Sequence, residues 1–207
     1  IAGPGFLNIK LSKTAMIKNI NLILENSNIY GSKKSNDTYN IEFVSANPTG
    51  PMHVGHCRGA IYGDVLANLL KFNGNKVTKE YYINDYGNQI INFVESVFLR
   101  IREIKFNEIF PKNKNLYPGL YIKDIAHNIL NKHKDKNYDN FKKIFEFLKE
   151  KSLSESMSLI KNDLSLLGIS HDNFFSETDL VKNDLVNKSI NKLKEKNFVE
   201  DGFLEQP

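Results

Sequence analysis

The chain has 207 residues, 41% hydrophobic and 25% charged, an ordinary balance for a soluble globular protein long enough to bury a sizeable core. A formal net charge of +4 is compatible with an RNA partner without establishing one. A lone Cys57 excludes an intrachain disulfide, and no apolar run nears the roughly 18 residues of a membrane span.

The opening Ile1-Ala2-Gly3-Pro4-Gly5-Phe6 lacks the basic-then-apolar plan of a secretory leader, so a cytoplasmic protein with no membrane partner is expected. It also lacks an initiator Met, which points to a piece of a longer chain. Residues 1–11 read as a short apolar segment after a Gly-Pro-Gly turn, 14–26 as a helix, and 31–37 as a polar loop or linker. The β-formers of 39–45 predict a strand that Pro48 and Pro51 must end. From Val54 the period becomes helical: Val54, Cys57, Ile61, Val65, Leu69 and Phe72 recur at steps of three and four, predicting a buried apolar stripe with Gly74 as its C-terminal cap.

Residues 77–83 read as a second strand, with Asn84-Asp85-Tyr86-Gly87 as the turn that follows. Strand, loop, helix, strand within about 45 residues is a βαβ unit, whose strands should be parallel. A helix is expected over 88–105, and a Lys-rich helical insertion over about 107–151, which holds Pro111 and Pro118-Gly119. Met157, Ile160, Leu164 and Leu167 carry a helix to Gly168; 169–175 reads as another strand and 180–197 as an amphipathic helix.

The stretch Ser45-Ala46-Asn47-Pro48-Thr49-Gly50-Pro51-Met52-His53-Val54-Gly55-His56 lies where a strand ends and a helix begins, the place where open parallel sheets bind ligands. Amide N–H groups and the positive helix end favour a phosphate there, and Gly55 allows a phosphate or base to approach the backbone. If the helix reached back to His53, both imidazoles would face the cleft and could donate to phosphate oxygens. Spacing alone leaves open that they are two solvent-exposed histidines. No His or Cys lies nearby at metal-ligand spacing, so no metal site is expected. Cys57 falls on the apolar stripe and reads as a packing residue; His127, His133 and His171 read as surface residues, and the lysines 132, 134, 136, 142 and 143 as a solvated face. Glu42 either faces solvent, the better fit to the strand pattern alone, or awaits a cation such as a guanidinium.

The run Ile41-Glu42-Phe43-Val44-Ser45-Ala46-Asn47-Pro48-Thr49-Gly50-Pro51-Met52-His53-Val54-Gly55-His56-Cys57-Arg58-Gly59-Ala60 resembles the first motif block of bacterial arginyl-tRNA synthetases. Four further stretches agree in order: Glu80-Tyr81-Tyr82-Ile83-Asn84-Asp85 with Gly87-Asn88-Gln89; Tyr117-Pro118-Gly119 with Tyr121-Ile122; 157–168; and Phe175-Ser176-Glu177. The opening six residues resemble the end of that family's N-terminal tRNA-binding domain.

The resemblance implies an α/β fold: a Rossmann-type parallel sheet of a class I synthetase catalytic domain over 37–207, incomplete at its C-terminus, with 1–36 as the end of the tRNA-binding domain and a linker. It implies ATP as substrate with Mg²⁺, L-arginine and tRNA(Arg) as partners, a monomer, and a need for tRNA before arginine is activated. By the same resemblance His53 and His56 are catalytic and line the ATP phosphates with Gly55, Pro48 and Thr49. His56 also nears the bound arginine, Ser45 and Asn47 hold its polar end, and Glu42 meets its guanidinium. Asn84, Asp85 and Gln89 border the mouth of the site. The family's second ATP motif, the later residues of its arginine pocket and its anticodon-binding domain belong beyond Pro207. Gly50, where members lacking a good second motif carry Lys, implies that the whole protein keeps that motif. The piece alone is expected to be inactive. Two rival readings stay open: a small nucleotidyltransferase that shares the His-x-Gly-His loop, and a non-catalytic RNA-binding module on the same fold.

Overall fold

A computed structural model describes residues 3–200 and 202. The chain divides into two compact units, Ile1–Tyr39 with Asn68–Val77 and Asn40–Ala67 with Thr78–Pro207. In the first, α1 (Lys13–Glu25) is capped by Ser12, whose hydroxyl accepts the Ala15 N–H at 3.1 Å, and it buries no residue. The polar loop before the first strand is laced to a turn of the same unit. Asn73 Oδ1 accepts the Lys33 N–H, the Ser35 N–H donates to the Asn73 carbonyl, and Asn75 Oδ1 accepts the Asp37 N–H. Gly74 caps its helix at φ +86°, and an added Cβ would lie 2.9 Å from the Ser35 carbonyl oxygen, so glycine is required twice over.

The sheet has three strands in the order β1 (Thr38–Glu42), β2 (Lys76–Ile83), β3 (Asn173–Ser176). β2 and β3 pair in parallel, with Tyr81 opposite Phe174 and Ile83 opposite Ser176. β1 stops at Glu42 rather than at Ser45, for a reason that belongs to the site below. Between β1 and β2 runs α2 (Val54–Phe72).

Here the expected packing is corrected. α2 does not bury the Val54–Phe72 stripe: Val54 is 87% exposed, and Ile61, Val65, Leu69 and Phe72 are all exposed. The buried residues are Ala60, Gly63 and Ala67, and Cys57 is half-buried. Steps of three and four still define the buried face, but its members are small, which lets the helix approach closely.

The larger unit holds two apolar clusters. In one, α3 (Asn88–Phe106) sets Ile90, Phe93, Val94, Val97, Phe98 and Ile101 against Ile122, Ile125 and Ile129 of α4 (Leu120–Lys132). In the other, Phe43, Ala60 and Tyr81 meet Met157, Ile160, Leu164 and Ile169. A single helix, α5 (Phe141–Leu166), serves both: Ile144 and Leu148 enter the first cluster, Met157, Ile160 and Leu164 the second. Each fully buried aliphatic or aromatic side chain contributes about 1.5–3 kcal/mol, so α5 ties helical layer and sheet together strongly. Gly168 ends the segment at φ +72° as expected, whereas Leu167 stays exposed. The terminal amphipathic stretch is two helices, α6 (Glu177–Lys182) and α7 (Leu185–Glu195), broken at Asp184, which sits in the left-handed region. Among the described residues no helix is long and apolar enough to cross a membrane.

Candidate active site

The site begins where β1 breaks. The Phe43 N–H still donates to the Glu80 carbonyl at 3.2 Å, but Val44 (φ +70°) and Ser45 (φ +40°) turn left-handed. The Ser45 N–H then donates to the Phe43 carbonyl at 3.0 Å, closing a three-residue turn about Val44. A β-branched residue at positive φ is costly, and nothing in a strand-like run of Ile, Phe and Val announces it. The turn throws Ser45 back over the strand it left. Its hydroxyl donates to Glu42 Oε1 at 2.7 Å and accepts the Tyr82 N–H at 3.1 Å. Glu42 is exposed, as its strand position predicted, and Ser45 is beside it.

Two residues on, Asn47 joins a chain of amides. Its Nδ2 donates to Gln89 Oε1 at 3.0 Å, and Asn84 Nδ2 donates to Asn47 Oδ1 at 3.1 Å. Three of the residues named from sequence are thus hydrogen-bonded in a row. Asp85 is placed differently. Its carboxylate accepts from the Ser176 hydroxyl (2.7 Å) and the Thr178 N–H (2.8 Å), fastening the turn after β2 to the start of α6. It lines a cavity of about 640 Å³ with Glu146, Lys149, Met157 and Lys182, which none of the amide chain enters.

α2 starts at Val54, so His53 stands just outside the helix rather than in its first turn. It acts as the cap. The His53 Nδ1 accepts the Gly55 N–H at 3.1 Å, while its carbonyl accepts the N–H groups of His56 (2.9 Å) and Cys57 (3.3 Å). The His56 Nδ1 in turn accepts the His53 N–H at 3.3 Å. Both Nδ1 atoms are acceptors, so in each neutral ring Nε2 carries the proton. The rings stack with centroids 3.7 Å apart and 19° between planes. Burial first, and then the neighbouring His53, lower the His56 pKa below the ordinary 6.5, which keeps that ring neutral near pH 7.

Gly55 has a tighter neighbour than a ligand. The folded-back His53 ring lies 3.0 Å from where a Cβ would stand. His53 and His56 open onto a cavity of about 440 Å³ lined also by Asn47, Thr49, Gly50, Pro51, Met52 and Tyr121, while Pro48 of the same loop is buried.

Three side chains that the sequence did not single out as site residues hold this loop. The Tyr81 hydroxyl donates to the Ala46 carbonyl at 2.8 Å, the Tyr121 hydroxyl donates to the Thr49 carbonyl at 3.0 Å, and Asp163 Oδ2 accepts the Met52 N–H at 3.1 Å. The signal was partial: Tyr81, Tyr121 and Asp163 all fall in the quoted motif blocks, but pattern gives no hint that they converge on one loop. His171 also departs from its surface reading. Its ring lies 4.3 Å from that of Phe43, and its Nε2 is 3.3 Å from the Phe43 carbonyl oxygen, against the base of the same turn.

A strand that breaks into a loop, a helix that starts on two imidazoles, and a parallel neighbour make a crevice at the strand ends of an α/β sheet, the place where such sheets commonly bind ligands. The comparisons agree. The profile described as "tRNA synthetases class I (R), catalytic domain" matches residues 19–203. The chain belongs to this family of class I synthetase catalytic domains.

Its curated relatives are arginine–tRNA ligases. The chain is similar to that of Pelagibacter ubique (strain HTCC1062), 55% identical across the whole of this chain and 36% of the relative. It is also similar to that of Wolbachia sp. subsp. Brugia malayi (strain TRS), 45% identical over the same shares. The chain therefore spans about a third of the length of these relatives. A solved arginyl-tRNA synthetase from Campylobacter jejuni superposes with a TM-score of 0.83 at 33% identity, over 93% of this chain and 42% of that one. The Thermus thermophilus arginyl-tRNA synthetase shares the fold at TM-score 0.53 and 19% identity, over 84% and 30% of the two chains. The α/β fold of a class I catalytic domain, expected from the motif blocks, is the fold observed.

Proposed function

We propose that this chain forms the strand–loop–helix half of the active site of an arginine–tRNA ligase. The enzyme joins arginine to ATP as arginyl-adenylate, releasing pyrophosphate, and then passes arginine to the 3′ end of tRNA(Arg). One observation carries the reading: two stacked imidazoles at a helix start, both with Nδ1 engaged as an acceptor, turn their Nε2 atoms as donors toward an open cleft.

Adenylate formation needs no protein nucleophile. The arginine carboxylate attacks the α-phosphorus while the bond to pyrophosphate breaks, and negative charge moves onto the leaving oxygens. Donors fixed in advance favour that shift, because they need no reorganisation at the moment of reaction. Their rigidity has a visible source in the ring stacking and the paired Nδ1 bonds. On this reading Glu42 receives the guanidinium, Ser45 and Asn47 the polar end of the amino acid, and Pro48, Thr49 and Gly55 shape the floor under the phosphates. Asn84 and Gln89 fix the Asn47 amide.

Among the described residues no three His, Cys, Asp or Glu side chains gather as ligands. Mg²⁺ enters as the companion of the ATP triphosphate, a hard cation held by phosphate oxygens. The reading takes the whole enzyme to act as a monomer in the cytoplasm.

The test is ATP–pyrophosphate exchange by the full-length enzyme. Exchange should require arginine, and tRNA as well. Exchange with another amino acid in its place, or nucleotidyl transfer to nicotinamide mononucleotide or pantetheine phosphate, overturns the reading.

A further inference from the structure

The loop that leads into the two histidines has almost no ladder to hold it. Residues 46–53 lie outside any strand or helix, and Pro48 and Pro51 offer no N–H. Its backbone is held instead from elements distant in sequence. Tyr81 on β2 takes Ala46, Tyr121 at the start of α4 takes Thr49, and Asp163 near the end of α5 takes Met52, the residue immediately before the cap. Resting on the reading above, we infer that Tyr121 and Asp163 are positioning residues for adenylate formation, which act on the phosphate through His53 and His56.

The geometry around Tyr121 is that of a fitted part. Its ring and hydroxyl lie 3.0 Å from where a Cβ on Gly50 would stand, and its ring 2.4 Å from where one on Gly119 would stand. Both glycines make room for one ring, which lines the cleft beside His53 and His56. The hydroxyl bond to Thr49 then fixes the loop's height over α4. Asp163 works at the other end. A carboxylate accepting a backbone N–H makes a charge-assisted bond, and this one stands two residues before the start of α2, near the helix end where negative charge is favoured. It also sits between Asn162 and Leu164 on α5, whose Leu164 is anchored in the sheet cluster. Loop, helical layer and sheet are thereby joined at the point where ring orientation is decided.

A merely structural role and a positioning role give different signatures in the full-length enzyme. Tyr121→Phe removes one hydroxyl and keeps the ring. It should lower the exchange kcat about five- to twentyfold, with the arginine KM within twofold of wild type. In a His53→Ala background the same change should cost less than twofold, because the group through which it acts has gone. Asp163→Ala should lower kcat about tenfold, and Asp163→Asn, which keeps an acceptor oxygen, should restore most of it. Thermal melts identify any variant that fails to fold; should Asp163→Ala do so, Tyr121→Phe and its cycle with His53→Ala carry the result.

Full additivity with His53→Ala, an arginine KM that rises with the loss of kcat, or wild-type rates in Tyr121→Phe and Asp163→Ala overturns the inference. The two levels separate cleanly. If His53→Ala itself leaves exchange unchanged, the reading of the site falls; if only the Tyr121 and Asp163 variants are silent, this inference alone falls.

Discussion

The ring of Phe43 occupies the space that a side chain on Gly63 would need: a Cβ there would lie 2.3 Å from Phe43 Cγ. Strand end and helix therefore fit only because position 63 carries no side chain. Both residues belong to buried surfaces, so neither can swing into solvent.

Gly63→Ala should accordingly destabilise the fold by about 1–3 kcal/mol, the cost of overpacking a well-filled contact. Ala otherwise favours a helix interior over Gly by about 1 kcal/mol, so the sign of the measured change decides the matter. Urea unfolding of the whole enzyme would read it. A Gly63→Ala protein as stable as wild type would mean that Phe43 has room to move.

Removing either imidazole should strike the chemical step. His53→Ala or His56→Ala in the full-length enzyme should lower arginine-dependent exchange at least tenfold, the loss of one donor to developing charge. Each change also removes an acceptor of a backbone N–H, His53→Ala that of the Gly55 N–H and His56→Ala that of the His53 N–H. Unchanged exchange in both variants would take the histidines out of the mechanism.

Glu42→Gln should raise the KM for arginine by more than tenfold and that for ATP by less than twofold, since only the amino acid brings a cation to this carboxylate. Steady-state titration of each substrate checks it. Parallel increases in both constants would assign Glu42 to the shape of the loop instead of to arginine.

His171 predicts a pH dependence of stability. Burial is the largest cause of its lowered pKa, with Lys79 adding to it; the Phe43 carbonyl, Asp64 and Asp172 oppose. Its Nδ1 is buried without a hydrogen-bond partner among the described residues, so a second ring proton would find no acceptor there. The folded protein thus binds this proton less readily than the unfolded chain. The favourable contribution is complete above the unfolded value of about 6.5 and is lost as pH falls through that value and the lower folded one. His56 shifts the same way. Melting temperature should fall between pH 7.5 and 5, and His171→Phe should flatten the slope without abolishing it. An unaltered slope would leave His171 no part in it.

Much of this architecture was legible, and the exceptions share a cause. Period located α1, α3 and β2, because each has a run of large apolar residues at the spacing of its element, and Gly74 correctly marked where α2 ends. α2 misled because the large residues repeat correctly on the wrong face, while contact is made through Ala60, Gly63 and Ala67, which hydrophobic period hardly weighs. The end of β1 misled because a left-handed Val44 looks like any strand valine. The pairing of Ser45 with Glu42 follows from that turn and was invisible for the same reason. Asp163 reads as one more polar residue of a long helix; only the fold brings it to Met52, 111 positions away in the chain.

That left-handed turn also bears on discrimination between cationic amino acids. Glu42 is not a bare anion, because one of its oxygens already accepts a hydrogen bond from the Ser45 hydroxyl. A carboxylate has about four lone-pair directions, and a planar fork with several N–H groups can dock along those left over. A hydrated ammonium is a compact point charge and draws no such advantage from direction. On the proposed reading of Glu42 as the guanidinium's partner, the serine hydroxyl would narrow a general attraction for positive charge to a preference for one shape of it. Part of the choice between arginine and lysine would then reside in a residue that carries no charge.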